Sequence, residues 1–205
     1  MDYFEIFAAA IGLGYIYFEY KGRWPMWVLG VVMPLCYVWI YFRSGLYANA
    51  TLNVYNVVIS IYGLHRWLHG GADGGEAPIV SMPRGYTPWV IGAIMVMAAG
   101  LTWLLSLLGE SQAIWGVGSD GFHIQACLDG LTASLSVVGM WMLARKYYQQ
   151  WLCWILVEPL TVLMCVATHL WATAVLYGVY MVVAVMGYVK WKRQAMPEDN
   201  KKEIN

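Results

Sequence analysis

The chain has 205 residues, of which 60% are hydrophobic and only 12% charged, and its mean hydropathy is +0.56. Soluble domains carry about a quarter charged residues, so this composition excludes an ordinary globular protein and leaves a polytopic membrane protein in a lipid bilayer. The formal net charge of zero is less informative than where the charges lie, and no nucleic-acid partner is expected.

Runs of about 17 to 25 mainly apolar residues are long enough to cross the hydrocarbon core as helices. Seven occur, near residues 3–20, 24–42, 47–68, 87–108, 125–144, 150–168 and 171–190. The first follows M-D-Y-F-E-I-F, which carries Asp2 and Glu5 in place of the basic start of a cleavable signal, so it is expected to be retained. The second opens on W-P-M-W (24–27) and contains Pro34. The third holds Asn49, Asn53 and Asn56 on one helical face. After the linker G-G-A-D-G-G-E-A-P (70–78) comes the fourth, and after the stretch 109–122 the fifth, whose Gln125, Asp129, Thr132 and Ser136 share a face. The sixth reads W-L-C-W-I-L-V-E-P from Trp151 to Pro159, and the seventh carries Thr173, Tyr177 and Tyr180. A polar tail, 192–205, closes the chain.

Charge tests the count. Lys and Arg flanking membrane helices concentrate in the cytoplasm, and seven alternating helices put eleven of the twelve on one side, leaving Arg43 alone on the other. The N-terminus is therefore expected outside, the C-terminus in the cytoplasm, and the protein in the plasma (inner) membrane.

An internal repeat is also visible. At an offset of 124, Leu46, Ala48, Ala50, Leu52, Val58, Gly63 and Trp67 fall on Leu170, Ala172, Ala174, Leu176, Val182, Gly187 and Trp191. Upstream, W-P-M-W is matched to W-L-C-W (151–154) with the offset changed by three. The expected architecture is an all-α integral membrane protein with seven transmembrane helices in a single transmembrane domain. It comprises a first repeat (about 3–68), a linker helix (about 87–108) and a second repeat (about 125–191), a 3+1+3 arrangement of parallel repeats. Transporters built this way bind substrate near the midplane, between the repeats. The repeat sets Asn49, Asn53 and Asn56 against Thr173, Tyr177 and Tyr180, two hydrogen-bonding stripes suited to a shared site.

Asp129 and Glu158 are the carboxylates placed well inside the spans. A carboxylate at membrane depth costs several kcal/mol, roughly 2.5 to 3.5 on insertion scales for a comparable Asp, and marks function by default. Asp129 is expected within about a turn of its helix end, and Glu158 deeper. Hydroxyls such as those of Thr132 and Ser136 more commonly make structural bonds between helices. Trp67, Trp89, Trp115 and Trp191 are expected in the interfacial aromatic belts. Trp151 and Trp154, beside Glu158, are expected to stack on a planar ligand, whose positive charge their faces attract. The four cysteines lie singly in apolar runs and the four histidines show no H-x-x-x-H pair beyond His65 and His69, so no metal, no cofactor and no catalytic centre is expected.

The run L-D-G-L-T-A-S-L-S-V-V-G-M-W-M-L-A-R-K-Y-Y-Q-Q-W-L-C-W-I-L-V-E, the Y-G-L-H-R-W at 62–67 and the L-Y-x-x-Y with G-Y-V-K-W from 176 to 191 resemble the PnuC family of vitamin transporters over essentially the whole chain. The resemblance implies a SWEET-like fold and facilitated diffusion of a small cationic vitamin, foremost nicotinamide riboside, with trapping through phosphorylation by a cytoplasmic vitamin kinase. It also implies a homotrimer, and Trp151 and Trp154 match the family's W-x-x-W. One departure is Met140 before Trp141, where the family pattern has glutamine, so a thiamine carrier is the alternative. A proton-coupled transporter using the buried acid is a further one.

Overall fold

The structure, a computed structural model, describes residues 3–43, 47–71, 74–108, 119–167, 169 and 171–195. Among these, seven α-helices follow in order: α1 (Tyr3–Lys21), α2 (Pro25–Arg43), α3 (Tyr47–His69), α4 (Thr87–Leu108), α5 (Ser119–Ala144), α6 (Gln150–Ala167) and α7 (Trp171–Ala195). A 3-10 turn, Arg84–Tyr86, leads into α4. The fold is all-α, and α2, α4, α5, α6 and α7 contain stretches long and apolar enough to cross a membrane. Their outer surfaces are greasy: Trp89 is 78% exposed and Val96 73%, an arrangement stable only where lipid replaces water. Helix α5 begins at Ser119, so Asp129 lies nearly three turns inside it rather than one turn from its end. The sequence 196–205 lies outside the described residues.

The chain forms two compact units. One holds the described residues up to Val80 together with Trp141–Tyr147, and the other holds Ser81–Met140 and those from Tyr148 onward. In the first unit α2 packs along α3, and α1 against α2. Gly63 of α3 leaves a notch that the Trp27 indole fills, so closely that a β-carbon at 63 would lie 2.5 Å from its Cζ2. One turn on, Trp67 meets Trp27 edge-on, with ring centroids 5.5 Å apart and planes at 86°. The Trp67 indole N–H donates to the Leu143 carbonyl over 3.1 Å.

In the second unit α6 packs along α7 with the same device. Trp151 fills the notch at Gly187, where a β-carbon would lie 2.5 Å from its Cε2. Trp191 stands edge-on to Trp151 at 5.6 Å and 89°. All four indoles have 0% exposure. Trp67 and Trp191 are thus interior packing residues, not belt residues, while Trp115 lies outside the described residues. Helices α4 and α5 approach through Gly130, whose Cα faces Thr102 and the Ala98 carbonyl, and the Thr102 hydroxyl donates to the Ala126 carbonyl over 3.3 Å.

These contacts correct the register of the tryptophan pairs. Trp27 and Trp151, not Trp24 and Trp151, occupy the same place, and they stand 124 positions apart with no shift of three. The turns preceding α2 and α6 agree. Gly22 (φ 68°) and Lys146 (φ 53°) both adopt the left-handed conformation that closes a helix. The amides after them, Arg23 and Tyr147, donate back to the Phe18 and Met142 carbonyls, each over 3.0 Å.

A lysine in this conformation costs roughly 1–2 kcal/mol that glycine avoids. Its side chain offsets the strain. Lys146 is 3% exposed, its Nζ donates to the Ala77 carbonyl over 2.7 Å, lies 4.3 Å from the centre of the Trp67 ring and sits 3.7 Å from Glu76. Burial pushes the ammonium below the ordinary lysine value, an effect that Glu76 opposes. The segment after α3 is thereby fastened to the α5–α6 turn, and the Val80 amide adds a bond to the Lys146 carbonyl at 3.0 Å.

Replacing Gly63 or Gly187 by alanine gains about 0.5–1 kcal/mol of helix propensity, but overpacking against an immobile indole costs about 1–3 kcal/mol. Both variants are expected to melt earlier in detergent than the parent. Gly178→Ala, with no atom within 4 Å of the added carbon, is expected to melt no earlier.

Candidate functional site

Helix α6 places Gln150, Trp154 and Glu158 at four-residue intervals on one face. Gln150 is completely buried, and its Oε1 accepts the indole N–H of Trp154. Trp154 itself is half-buried. Its Cζ2 edge packs on Gly139 of α5, where a β-carbon would lie 3.6 Å from that atom and 3.2 Å from Cys153 Cβ. Glycine at 139 therefore allows α5 to approach α6.

One turn further along, Glu158 is 7% exposed, and its Oε2 has no hydrogen-bond partner among the described residues. A buried polar atom left unpaired costs about 1–3 kcal/mol, and more when charged. On α7, Tyr177 meets Tyr180 edge-on at 5.6 Å and 79°. Within the second unit, then, Trp154, Glu158, Tyr177 and Tyr180 belong to the packed α6–α7 pair.

The other expected residues are placed as follows. Trp151 is sealed between Gly187 and Trp191 with 0% exposure, whereas Trp154, the other tryptophan of W-L-C-W, is half-buried. On α5, the Thr132 hydroxyl donates to the Leu128 carbonyl at 2.9 Å and Ser136 to the Thr132 carbonyl at 2.8 Å. Both hydroxyls bond their own helix, a local arrangement common for such residues. Asp129 is half-buried on the same helix. In the first unit Asn53 and Asn56 are half-buried on α3, while the Asn49 side chain lies outside the described residues. Thr173 on α7 is half-buried. No group of three His, Cys, Asp or Glu capable of holding a metal occurs among the described residues. Gln150 is the residue that sequence reasoning missed. Its signal was present, a carboxamide four residues before Trp154 in a run that continues into an apolar helix.

A multi-helix membrane protein with a buried acid one turn from a half-buried indole on a helix apolar enough to span has a feature found in small-molecule transporters. Comparison with known proteins defines the class. The sequence model of the Nicotinamide mononucleotide transporter family matches residues 2–193, and the chain belongs to that family. Among its relatives, the nicotinamide riboside transporter PnuC of Neisseria mucosa is 26% identical over 199 residues, covering 91% of this chain and 70% of that protein. Its counterpart in Escherichia coli is 23% identical over 176 residues, covering 76% and 71%, and that of Haemophilus influenzae is 24% identical over 177, covering 84% and 72%. A crystal structure of the vitamin B3 transporter PnuC shares the fold, with a TM-score of 0.62 and 23% identity over 92% of this chain and 80% of that one. The protein is a multi-pass membrane transporter.

Glu158 Oε2 stands without a hydrogen-bond partner among the described residues, where an apolar residue would be cheaper. Glu158→Leu is expected to raise the free energy of unfolding by about 1–3 kcal/mol, measured by thermal or denaturant unfolding in detergent. Loss of stability on this change would show that the carboxyl has a structural partner.

Proposed function

We propose that this transporter carries nicotinamide riboside or a closely similar flat cationic vitamin by facilitated diffusion. The observation that supports it most directly is the pairing on α6 of a half-buried indole with a buried carboxyl, one turn away, whose Oε2 has no hydrogen-bond partner among the described residues. A pyridinium stacks favourably on indole, and its positive charge stabilises a carboxylate that the membrane otherwise penalises. Asn49, Asn53 and Asn56, with Thr173, Tyr177 and Tyr180, supply hydrogen-bonding groups for a ribose. Asp129 is a second acid available to the cation, and Thr132 and Ser136 contribute less because their protons are already engaged.

The family is named for a mononucleotide and the relatives for a riboside. The charge pattern favours the unphosphorylated form. No Lys or Arg lies between residues 85 and 144 or between 147 and 189, and a phosphate near Glu158 would face repulsion with no nearby cation on those helices. An unphosphorylated substrate also fits trapping by a cytoplasmic vitamin kinase. The twin tryptophan–glycine contacts 124 residues apart support a duplicated 3+1+3, SWEET-like arrangement that works by alternating access. The Lys and Arg distribution supports an external N-terminus in the plasma membrane, and a homotrimer follows the family resemblance. Met140, in place of the family's glutamine, favours a second reading in which thiamine, another flat cation, is the substrate.

The test is uptake into liposomes together with calorimetric binding to the purified protein. Nicotinamide riboside is expected to bind, with nicotinamide mononucleotide and riboflavin weaker; tighter binding of thiamine selects the second reading, and tighter binding of the mononucleotide overturns the trapping scheme. Glu158→Gln is expected to weaken cation binding by about tenfold or more, in line with roughly 1.5–3 kcal/mol for a charged contact. Uptake driven by an imposed pH gradient and abolished by an uncoupler would replace facilitated diffusion with proton coupling.

A further inference from the structure

The buried face of α6 differs from the matching face of α2 at three successive positions. Residues 124 earlier than Gln150, Trp154 and Glu158 are Met26, Gly30 and Pro34. Met26 and Gln150 are both fully buried, so a methionine fits this place in one unit and a carboxamide occupies it in the other. Burying a carboxamide in place of a thioether costs free energy unless its polar atoms are used. Its Oε1 is used to accept the Trp154 indole N–H. At Gly30 there is no ring to hold, and a β-carbon there would meet Ser60 Oγ at 2.9 Å.

We propose that Gln150 is a positioning residue, which fixes the Trp154 ring so that a flat ligand meets the face of the indole and never its N–H. This rests on the reading of Trp154 as a substrate contact. An indole has two ways to recognise a ligand: its face attracts apolar and cationic rings, and its edge donates one hydrogen bond. The internal bond to Gln150 occupies the edge. It also ties the ring at one end while Gly139 packs against the Cζ2 edge, leaving little freedom about the side-chain torsions. The ordering cost of presenting the ring to a ligand is then met on folding rather than on binding, which raises affinity without a new contact.

The experiment is a double-mutant cycle on the full-length protein in detergent, with nicotinamide riboside as the probe in calorimetry. Gln150→Met removes the acceptor while keeping a side chain of similar size, and is expected to weaken binding about threefold to tenfold, the worth of one hydrogen bond. In a Trp154→Phe background, which keeps a ring face but has no N–H to hold, the same change is expected to alter affinity less than about twofold. Equal losses in both backgrounds, or none in the parent, overturn the proposal. Should Gln150→Met fail to fold, Gln150→Asn, one carbon too short to reach the indole, carries the same expectations. A parent that binds neither nicotinamide riboside nor thiamine sinks the substrate reading alone. The positioning is then read without ligand, from the indole N–H resonance assigned by its loss in Trp154→Phe. It is expected to be protected from hydrogen exchange in the parent and unprotected in Gln150→Met; equal protection in the two overturns it.

Discussion

An indole seated in a glycine notch is the contact on which the rest of this protein depends. In lipid, apolar side chains gain little by leaving the solvent, so helices associate through close van der Waals fit and through small residues that let backbones approach. Trp27 on Gly63 and Trp151 on Gly187 meet that requirement in an extreme form, with the largest side chain set against the smallest. Each pair is completed by a second indole one turn away, Trp67 or Trp191. The α2–α3 and α6–α7 pairs are the closely packed cores of their units, and the face of α6 that carries Trp154 and Glu158 continues from the turn that Trp151 anchors.

The two units use the same device but diverge in the residues beside it. Alongside their indole locks, α2 continues with Gly30 and Pro34, whereas α6 continues with Trp154 and Glu158. At the preceding turns, Gly22 adopts a left-handed backbone at no cost, whereas Lys146 adopts it under strain and uses its side chain to fasten the segment after α3. At the turns the first unit carries the residue cheaper for folding, and in both places the second unit carries a residue with a charge or a ring. Such departures from local preference are where functional residues are expected to concentrate.

The seven helices were legible because the bilayer imposes a length on apolar runs, and runs such as 24–42 and 87–108 correspond closely to α2 and α4. The start of α5 was not. Ser119–Gln125 is polar and glycine-containing, so hydropathy alone cut the helix short and brought Asp129 too near its end. Among the candidate site residues, the depth of Glu158 was legible from the apolar run around it. The burial of Trp151, Trp67 and Trp191 was not, because a tryptophan at a helix end has the same sequence signature whether it faces headgroups or packs inside; what decides is the glycine notch, which Trp151 fills from the partner helix and which Trp67 and Trp191 follow by one turn on their own helices. The pairing of tryptophans between the halves failed for a related reason: W-x-x-W matches itself by letter, but packing matches Trp27 to Trp151. Gln150 was overlooked because a polar residue at the start of a span looks like a border rather than part of the interior.

With Trp154 as the proposed substrate contact, its bond to Gln150 has one consequence for the range of molecules admitted. A wall that presents only a ring face is indifferent to the pattern of donors and acceptors around the edge of whatever lies against it. Such a wall would select for flatness and positive charge and leave finer discrimination to polar groups elsewhere. New substrates of the same general shape are then within reach of substitutions at those other positions, with the aromatic wall carried over unaltered.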